Sequence, residues 1–111
     1  KKYFSLPLEP KNVKTAWLAF PVLINQNVPF SRKELQIFLE KQNIQTRVVF
    51  TGNILRQPMM KNVSYKSSRL GHPNADAIMA RGILLPVHHG LTENMFSRLH
   101  QEIESFILSV N

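Results

Sequence analysis

Two amphipathic helices constrain the fold of this chain more than any other feature of its sequence. Ser31 and Glu34 have the spacing of a capping box, which starts a helix near Arg32, and Thr92 is placed to cap a second helix that runs to the C-terminus. The apolar faces comprise Leu35, Phe38 and Leu39 in the first helix and Phe96, Leu99, Ile103, Phe106, Ile107 and Val110 in the second. Each helix has one apolar face to bury, so we expect both to pack on the same side of a second layer.

Three segments rich in β-branched and aromatic residues predict that this second layer is a sheet. They are residues 16–24, 44–50 and 83–87, and Pro21 inside the first argues for an edge position or a bulge. Residues 1–15 are punctuated by prolines, so we predict an extended leading segment outside the core, followed by one domain over residues 16–111. The predicted fold class is α+β: a small sandwich whose short, mainly antiparallel sheet carries helices on one face.

A long loop is predicted between the second and third strands. Residues 51–73 show no sustained periodicity, and loops of this length in compact domains are usually functional or disordered. Asn74 is placed to cap a short helix over residues 75–81, and Gly82 is placed to end it in the C′ position.

The residue inventory predicts no catalytic or metal-binding centre within the chain. Its 111 residues include no cysteine, and His88 and His89 are adjacent, so they point to opposite sides of an extended segment with no carboxylate at ligand spacing. The seven acidic residues fall at helix caps or on helix faces, and no nucleophile–base arrangement or glycine-rich phosphate loop is present. We therefore predict that the chain alone is not catalytic.

The net charge of +7 raises the question of a nucleic-acid partner. Lysines and arginines occur in every segment, without a basic run or interleaved aromatic residues, which favours a solvated basic surface over a nucleic-acid site. The longest apolar run, residues 16–24, is too short to cross a bilayer, so a soluble, cytoplasmic protein is expected. A stand-alone module that binds nucleic acid or an acidic partner through the basic surface stays as an alternative.

Two stretches of this chain resemble a known family. "NIQTRVVFTGNILRQPMM" and "NADAIMARGILLPVHHGLTENMFSRLHQEIESFI" are similar to the C-terminal domain of the DegT/DnrJ/EryC1/StrS group of pyridoxal-phosphate-dependent sugar enzymes. Thr46-Arg47, Gln57-Pro58 and "LPVHHGLT" hold the places of motifs common in that group. His89 stands where the group usually has proline, which affects a turn and not the resemblance as a whole.

Within that group, "FTGNILRQP" is similar to the 3-dehydratases that act on nucleotide-linked 4-keto-6-deoxyhexoses of the CDP-4-keto-6-deoxyglucose type, in lipopolysaccharide O-antigen synthesis. A sugar aminotransferase of the same family is the alternative. The resemblance implies pyridoxal or pyridoxamine phosphate bound by a large N-terminal domain outside this chain, a homodimer of the full-length protein and a nucleotide-sugar substrate. It leaves open a two-iron iron–sulfur cluster and a partner reductase, and it implies neither nucleic-acid binding nor membrane insertion.

The resemblance also gives a role to the loop, because in such enzymes the small domain closes one wall of the active site. Asn53, Arg56 and Gln57 are then the predicted substrate-binding residues, since guanidinium and amide groups suit phosphates and sugar hydroxyls. The competing interpretation is structural: Asn53 takes a positive φ beside Gly52, and Arg56 ties the loop down. Arg47 is predicted to be an interdomain ion-pair partner.

Overall fold

The computed structural model, which describes residues 2–111, contains one sheet of four short strands and three α-helices. The elements are β1 (Phe4–Ser5), β2 (Phe20–Ile24), α1 (Arg32–Lys41), β3 (Arg47–Val48), α2 (Pro73–Arg81), β4 (Gly82–Leu85) and α3 (Glu93–Ser109). The strands lie in the order β1-β2-β4-β3, and every neighbouring pair is antiparallel. The predicted α+β class and mainly antiparallel sheet are confirmed.

The core lies between one face of the sheet and helices α1 and α3. Val22 and Ile24 of β2 point to the same side, and Ile83 of β4 pairs with Val22. These residues form one buried cluster with Leu35 and Leu39 of α1, Phe106 of α3 and Phe30. The Phe106 ring lies edge-on to Phe30 at 5.0 Å between centroids and contacts Phe38 at 5.2 Å. Both helices therefore bury their apolar faces on the same side of the sheet, as predicted.

The two helix starts follow the sequence signals closely. The Oγ of Ser31 accepts from the backbone N–H of Glu34 at 3.3 Å, while the Glu34 carboxylate accepts from the Ser31 N–H at 2.7 Å. The Ser31 hydroxyl also donates to this carboxylate at 2.7 Å, and the bonds from the Ser31 N–H and then from the Ser31 hydroxyl lower the pKa of Glu34. Thr92 caps α3 by accepting from the N–H of Met95. Capping bonds of this kind stabilise a helix by about 0.5–2 kcal/mol.

The N-terminal segment contributes a strand that the sequence did not predict. Phe4 and Ser5 pair with Ile24 and Leu23, and Phe4 packs against the buried core. The Tyr3 hydroxyl donates to the Asn111 side chain at 3.0 Å, which joins this strand to the end of α3. The interpretation of residues 1–15 as lying wholly outside the core is thus wrong for its first residues.

Pro21 lies on an inner strand, but at a position with only one neighbour. It pairs with Leu84 of β4, whereas β1 reaches only Leu23 and Ile24 on the other side of β2. The strand is therefore locally an edge at Pro21, which is the environment that a residue without an N–H requires.

Helix α2 begins and ends differently from the prediction. His72, not Asn74, is the N-cap residue, and Pro73 occupies the first turn, where its fixed φ suits a helix start. Gly82 has an extended φ of −77° and opens β4 directly, so it is not a left-handed C′ glycine.

Among the described residues, no helix is long and apolar enough to cross a membrane.

Candidate functional site

The loop that leaves β3 begins with a strained turn. Phe50 has a φ of +46° and Gly52 a φ of +65°, and the Gly52 N–H donates to the Val49 carbonyl at 3.0 Å. A positive φ at a phenylalanine costs of order 1–3 kcal/mol and persists only where the surroundings impose it. The ring of Phe50 is 87% exposed, so burial of the ring does not offset this cost within the chain.

Asn53 organises the residues that follow this turn. Its Oδ1 accepts from the Leu55 N–H at 3.0 Å, which caps a 3₁₀ turn over Ile54–Arg56. Its Nδ2 donates to the Asp76 carboxylate at 2.7 Å, and the residue is only 4% exposed. The φ of Asn53 is −89°, so the positive φ that the competing structural interpretation gave to Asn53 is wrong. Phe50 and Gly52 have the left-handed conformations instead.

Arg56 forms a bidentate ion pair with Asp76 in the first turn of α2. Its Nε and Nη2 each donate to a different carboxylate oxygen at 3.0 Å. Arg56 and then Asn53 hold the pKa of Asp76 well below its ordinary value, at about 2, and Asp76 raises the pKa of Arg56. The guanidinium keeps an exposed side because 62% of the Arg56 side chain is accessible. The loop is tied to α2, yet it still presents hydrogen-bond donors outward.

Gln57 faces a different part of the loop. Its Nε2 donates to the Thr51 carbonyl at 2.9 Å and lies 3.9 Å from the Met79 sulfur. A second 3₁₀ turn, Pro58–Met60, begins at the next residue. Gln57 therefore closes the loop on itself and lines a cleft of about 300 Å³ with Arg32, Val48, Thr51 and Met79.

The structure brings the predicted residues together only in part. Asn53 and Arg56 share one carboxylate, while Gln57 points toward Met79 and the cleft. Arg47 lies on β3, away from this cluster, and its Nη1 donates to the backbone carbonyl of Thr46 at 3.0 Å. Its predicted interdomain ion pair stays a prediction, because that partner would belong to another domain.

Sequence reasoning missed two residues of this region. Asp76 looked like an ordinary acidic residue in the first turn of a helix, and only the long-range contact reveals its role. Arg32 looked like a surface residue at the start of α1, but its Nη1 donates to the carbonyls of Met79 at 2.6 Å and Gly82 at 3.3 Å. Only Asp76 could have been singled out from the sequence, because acidic residues are few in this strongly basic chain and each is a candidate partner for an arginine.

The α-helix N-termini of the described residues are poorly suited to bind a phosphate group. Each α-helix N-terminus, where a phosphate would bind most readily, carries an acidic residue in its first turn: Glu34, Asp76 or Glu93. Over residues 2–111, no group of three or more His, Asp or Glu is placed to hold a metal ion. His88 turns its Nδ1 inward to accept from the Gly90 N–H at 3.1 Å.

These features define a small α+β domain that carries a polar cluster on the loop after β3. The chain belongs to the DegT/DnrJ/EryC1/StrS aminotransferase family, which it matches over residues 1–104.

Two curated relatives cover nearly the whole chain. A dTDP-4-dehydro-2,6-dideoxy-D-glucose 3-dehydratase of Saccharopolyspora spinosa is 31% identical over 92% of this chain and 22% of its own length. The lipopolysaccharide biosynthesis protein RfbH of Salmonella typhimurium is 30% identical over 95% of this chain and 24% of its own length. The chain thus spans about a quarter of the length of either relative.

Solved structures share the fold. A GDP-4-keto-6-deoxymannose-3-dehydratase with bound GDP-perosamine matches with a TM-score of 0.81 at 21% identity, over 93% of this chain and 26% of that chain. A DegT DnrJ EryC1 StrS aminotransferase from Brucella abortus matches with a TM-score of 0.78 at 20% identity, over 95% of this chain and 26% of that chain. At such identities the likeness establishes the fold alone.

Proposed function

We propose that this chain is the C-terminal small domain of a nucleotide-sugar 3-dehydratase, of the CDP-4-keto-6-deoxyglucose type, that serves lipopolysaccharide O-antigen synthesis in the cytoplasm. The observation that carries the proposal is the identity of 30% and 31% to RfbH and to a sugar 3-dehydratase, each over more than nine-tenths of the chain. In this proposal residues 1–15 lead in from a large N-terminal domain, and the full-length protein is a homodimer.

The role of this domain is to bind and orient the substrate through the loop after β3. Arg56 has the donors best placed for this, because its side chain is 62% exposed while its Nε and Nη2 are fixed on Asp76. Asn53 and Gln57 stay in the predicted substrate-binding set. A direct contact with Asn53 requires the substrate to reach a residue that is only 4% exposed, so its indirect contribution through the loop is the larger one.

The cofactor in this proposal is pyridoxal or pyridoxamine phosphate, which supplies the electron sink for loss of the sugar 3-hydroxyl. It belongs to the large domain, as does any iron–sulfur cluster, and a reductase would be a separate partner. The acidic residue at each helix N-terminus opposes a cofactor phosphate in this domain. No proton transfer or covalent step is therefore assigned to residues of this chain.

A sugar aminotransferase is the second candidate function. It is favoured by the family model that the chain matches over residues 1–104, which is that of an aminotransferase family. Both reactions start from a keto sugar, so a loop that holds sugar oxygens would serve either one.

The experiment is a product analysis with the full-length protein. Purified enzyme is incubated with CDP-4-keto-6-deoxyglucose and pyridoxamine phosphate. A parallel reaction contains the same sugar with pyridoxal phosphate and glutamate. The masses of the sugar products are measured by mass spectrometry. A 3-deoxy sugar that has lost one oxygen atom, formed together with pyridoxal phosphate and ammonia as pyridoxamine phosphate is oxidised, supports the dehydratase. Replacement of the keto oxygen by an amine supports the aminotransferase. Absence of both products with CDP-, GDP- and dTDP-linked keto sugars would overturn both candidates.

A further inference from the structure

Among residues 2–111, Asp76 is the one carboxylate that accepts hydrogen bonds from both Asn53 and Arg56. Its Oδ1 accepts from Asn53 Nδ2 at 2.7 Å and from Arg56 Nε at 3.0 Å, and its Oδ2 accepts from Arg56 Nη2 at 3.0 Å. The carboxylate lies in the first turn of α2, but among residues 2–111 it accepts hydrogen bonds from the loop and not from the N–H groups of its own helix. Asp76 thus connects a rigid element to the loop proposed to bind substrate.

The contact uses one side of the Arg56 guanidinium and leaves the other available. Nε and Nη2 face Asp76, and no group among residues 2–111 accepts a hydrogen bond from Nη1. An unpaired arginine in an exposed loop would sample many rotamers and would lose that freedom on binding. The two bonds to Asp76 fix the plane of the guanidinium before a ligand arrives, so the ordering cost of binding is lower.

The ion pair also determines which chemical group suits the free side. Asp76 stays ionised at neutral pH, because Arg56 and Asn53 hold its pKa at about 2. Its negative charge cancels much of the field of the guanidinium, so a phosphate approaching from outside would meet a nearly neutral pair. A neutral oxygen acceptor, such as a sugar hydroxyl or keto oxygen, still receives well-directed hydrogen bonds from this pair.

We propose that Asp76 is a positioning residue, which holds Arg56 so that the free side of the guanidinium donates to the sugar oxygens of the substrate and not to its diphosphate. This inference rests on the proposed function, because it assumes that the loop faces a nucleotide sugar. The contrary interpretation is that Asp76 only anchors the loop to α2 and that Arg56 has no ligand.

The test is a double-mutant cycle in the full-length enzyme, with KM and kcat measured beside thermal melting. Asp76→Asn removes the charge and leaves only one carbonyl oxygen to accept, so KM for the keto sugar is expected to rise roughly tenfold, as loss of one charge-assisted hydrogen bond produces. Because Asp76 acts through Arg56, the double variant Asp76→Asn with Arg56→Ala should be no worse than Arg56→Ala alone. Asp76→Glu, which keeps the charge, should restore part of the lost affinity.

Matched controls separate this role from a structural one. Glu104→Gln removes an exposed carboxylate that lies 3.7 Å from the His100 ring on α3, and it should leave KM unchanged. KM of the wild-type enzyme should also depend on salt no more than KM of Arg56→Ala, because the pair contributes little field to the diphosphate.

Three results would overturn the proposal. One is additive losses in the double variant, and another is an Asp76→Asn enzyme that melts earlier but binds substrate with the wild-type KM. The third is a salt dependence of KM that disappears in Arg56→Ala, which would assign Arg56 to the diphosphate. A wild-type enzyme that converts no keto sugar would instead refute the proposed function and this inference with it, so the two failures are distinguishable.

Discussion

Gly52 lies against the backbone of Met79 with no room for a side chain. A Cβ atom on Gly52 would lie 2.5 Å from the Met79 Cα, and the φ of +65° disfavours any other residue independently. Gly71 has a similar φ of +70° but open space around it, with nothing within 4 Å of a Cβ. Substitutions at the two glycines therefore distinguish two costs: the conformational cost of a positive φ, which both share, and the cost of a steric clash, which only Gly52 has.

We expect Gly71→Ala to lower the free energy of unfolding by about 1–2 kcal/mol, the cost of a left-handed conformation at a residue with a Cβ. Gly52→Ala should lower it by an additional ~1–3 kcal/mol, because α2 must shift to relieve the clash. Urea denaturation of both variants, followed by circular dichroism, measures the difference. Equal losses in the free energy of unfolding would show that α2 can move away from the loop at no cost.

We expect Arg56→Ala to impair the reaction through a higher KM, with little loss in the free energy of unfolding. The side chain is 62% exposed, so its removal affects the core little, whereas KM for the nucleotide sugar should rise roughly tenfold. Steady-state kinetics and thermal melting of the full-length variant provide the two readouts. Arg69→Ala, an exposed arginine in the same loop, is the matched control and should change neither. An Arg56→Ala enzyme with normal kinetics and a much lower Tm would make Arg56 structural.

The stability of the domain should fall in acid partly through Asp76. Its pKa in the folded state is about 2, against about 3.9 in an unfolded chain, so its contribution is fully present above about pH 5 and is lost as the pH falls toward 2. Asp76→Asn should therefore flatten the decrease of Tm between those pH values. Part of the decrease of Tm in acid should remain in the Asp76→Asn variant, because the pKa of Glu34 is also lowered in the folded state. A Tm profile for Asp76→Asn that parallels the wild type would contradict the shifted pKa.

Leu39 should matter far more to stability than Ile37 on the same helix. Leu39 is fully buried between α1 and the sheet, whereas Ile37 is 46% exposed. Leu39→Ala should lower the free energy of unfolding by about 2–5 kcal/mol through lost burial and the cavity left behind. Ile37→Ala, the matched control, should cost less than about 1 kcal/mol. Chemical denaturation measures both, and similar losses would mean that α1 does not pack as described.

Purified residues 1–111 should retain no cofactor. The acidic first turns of all three α-helices oppose phosphate binding, so incubation with pyridoxal phosphate followed by gel filtration should leave no bound chromophore. The full-length protein, treated in the same way, should retain it. A stoichiometric chromophore on the short chain would refute the assignment of the cofactor to another domain.

Local signals in the sequence were sufficient for the helices. The capping box at Ser31 and Glu34 and the cap at Thr92 involve residues three apart, so a pattern of neighbours determines them. The start of α2 was predicted less well, because Asn74 and Pro73 both carry start signals and the fixed φ of proline prevailed. The sequence therefore predicts that a helix is present more accurately than it predicts the residue at which the helix begins or ends.

Contacts between distant residues could not be predicted in the same way. Strand β1 has only two residues, and its pairing with Leu23 and Ile24 depends on where the chain returns. The candidate loop was found through its residue types, but the ion pair between Arg56 and Asp76 joins residues twenty positions apart. No periodicity encodes such a contact, so the sequence indicated the loop without the carboxylate that holds it.

The exposed stretch over residues 61–70 lies between two fixed points, the anchored segment up to Met60 and the start of α2 at Pro73. Loop closure becomes only slowly more costly with length, by about 0.6 kcal/mol for each doubling. Evolution can therefore lengthen, shorten or rewrite this stretch while the sheet, the helices and the anchored Arg56 stay in place. A scaffold of this kind allows substrate range to diverge among descendants without a new fold.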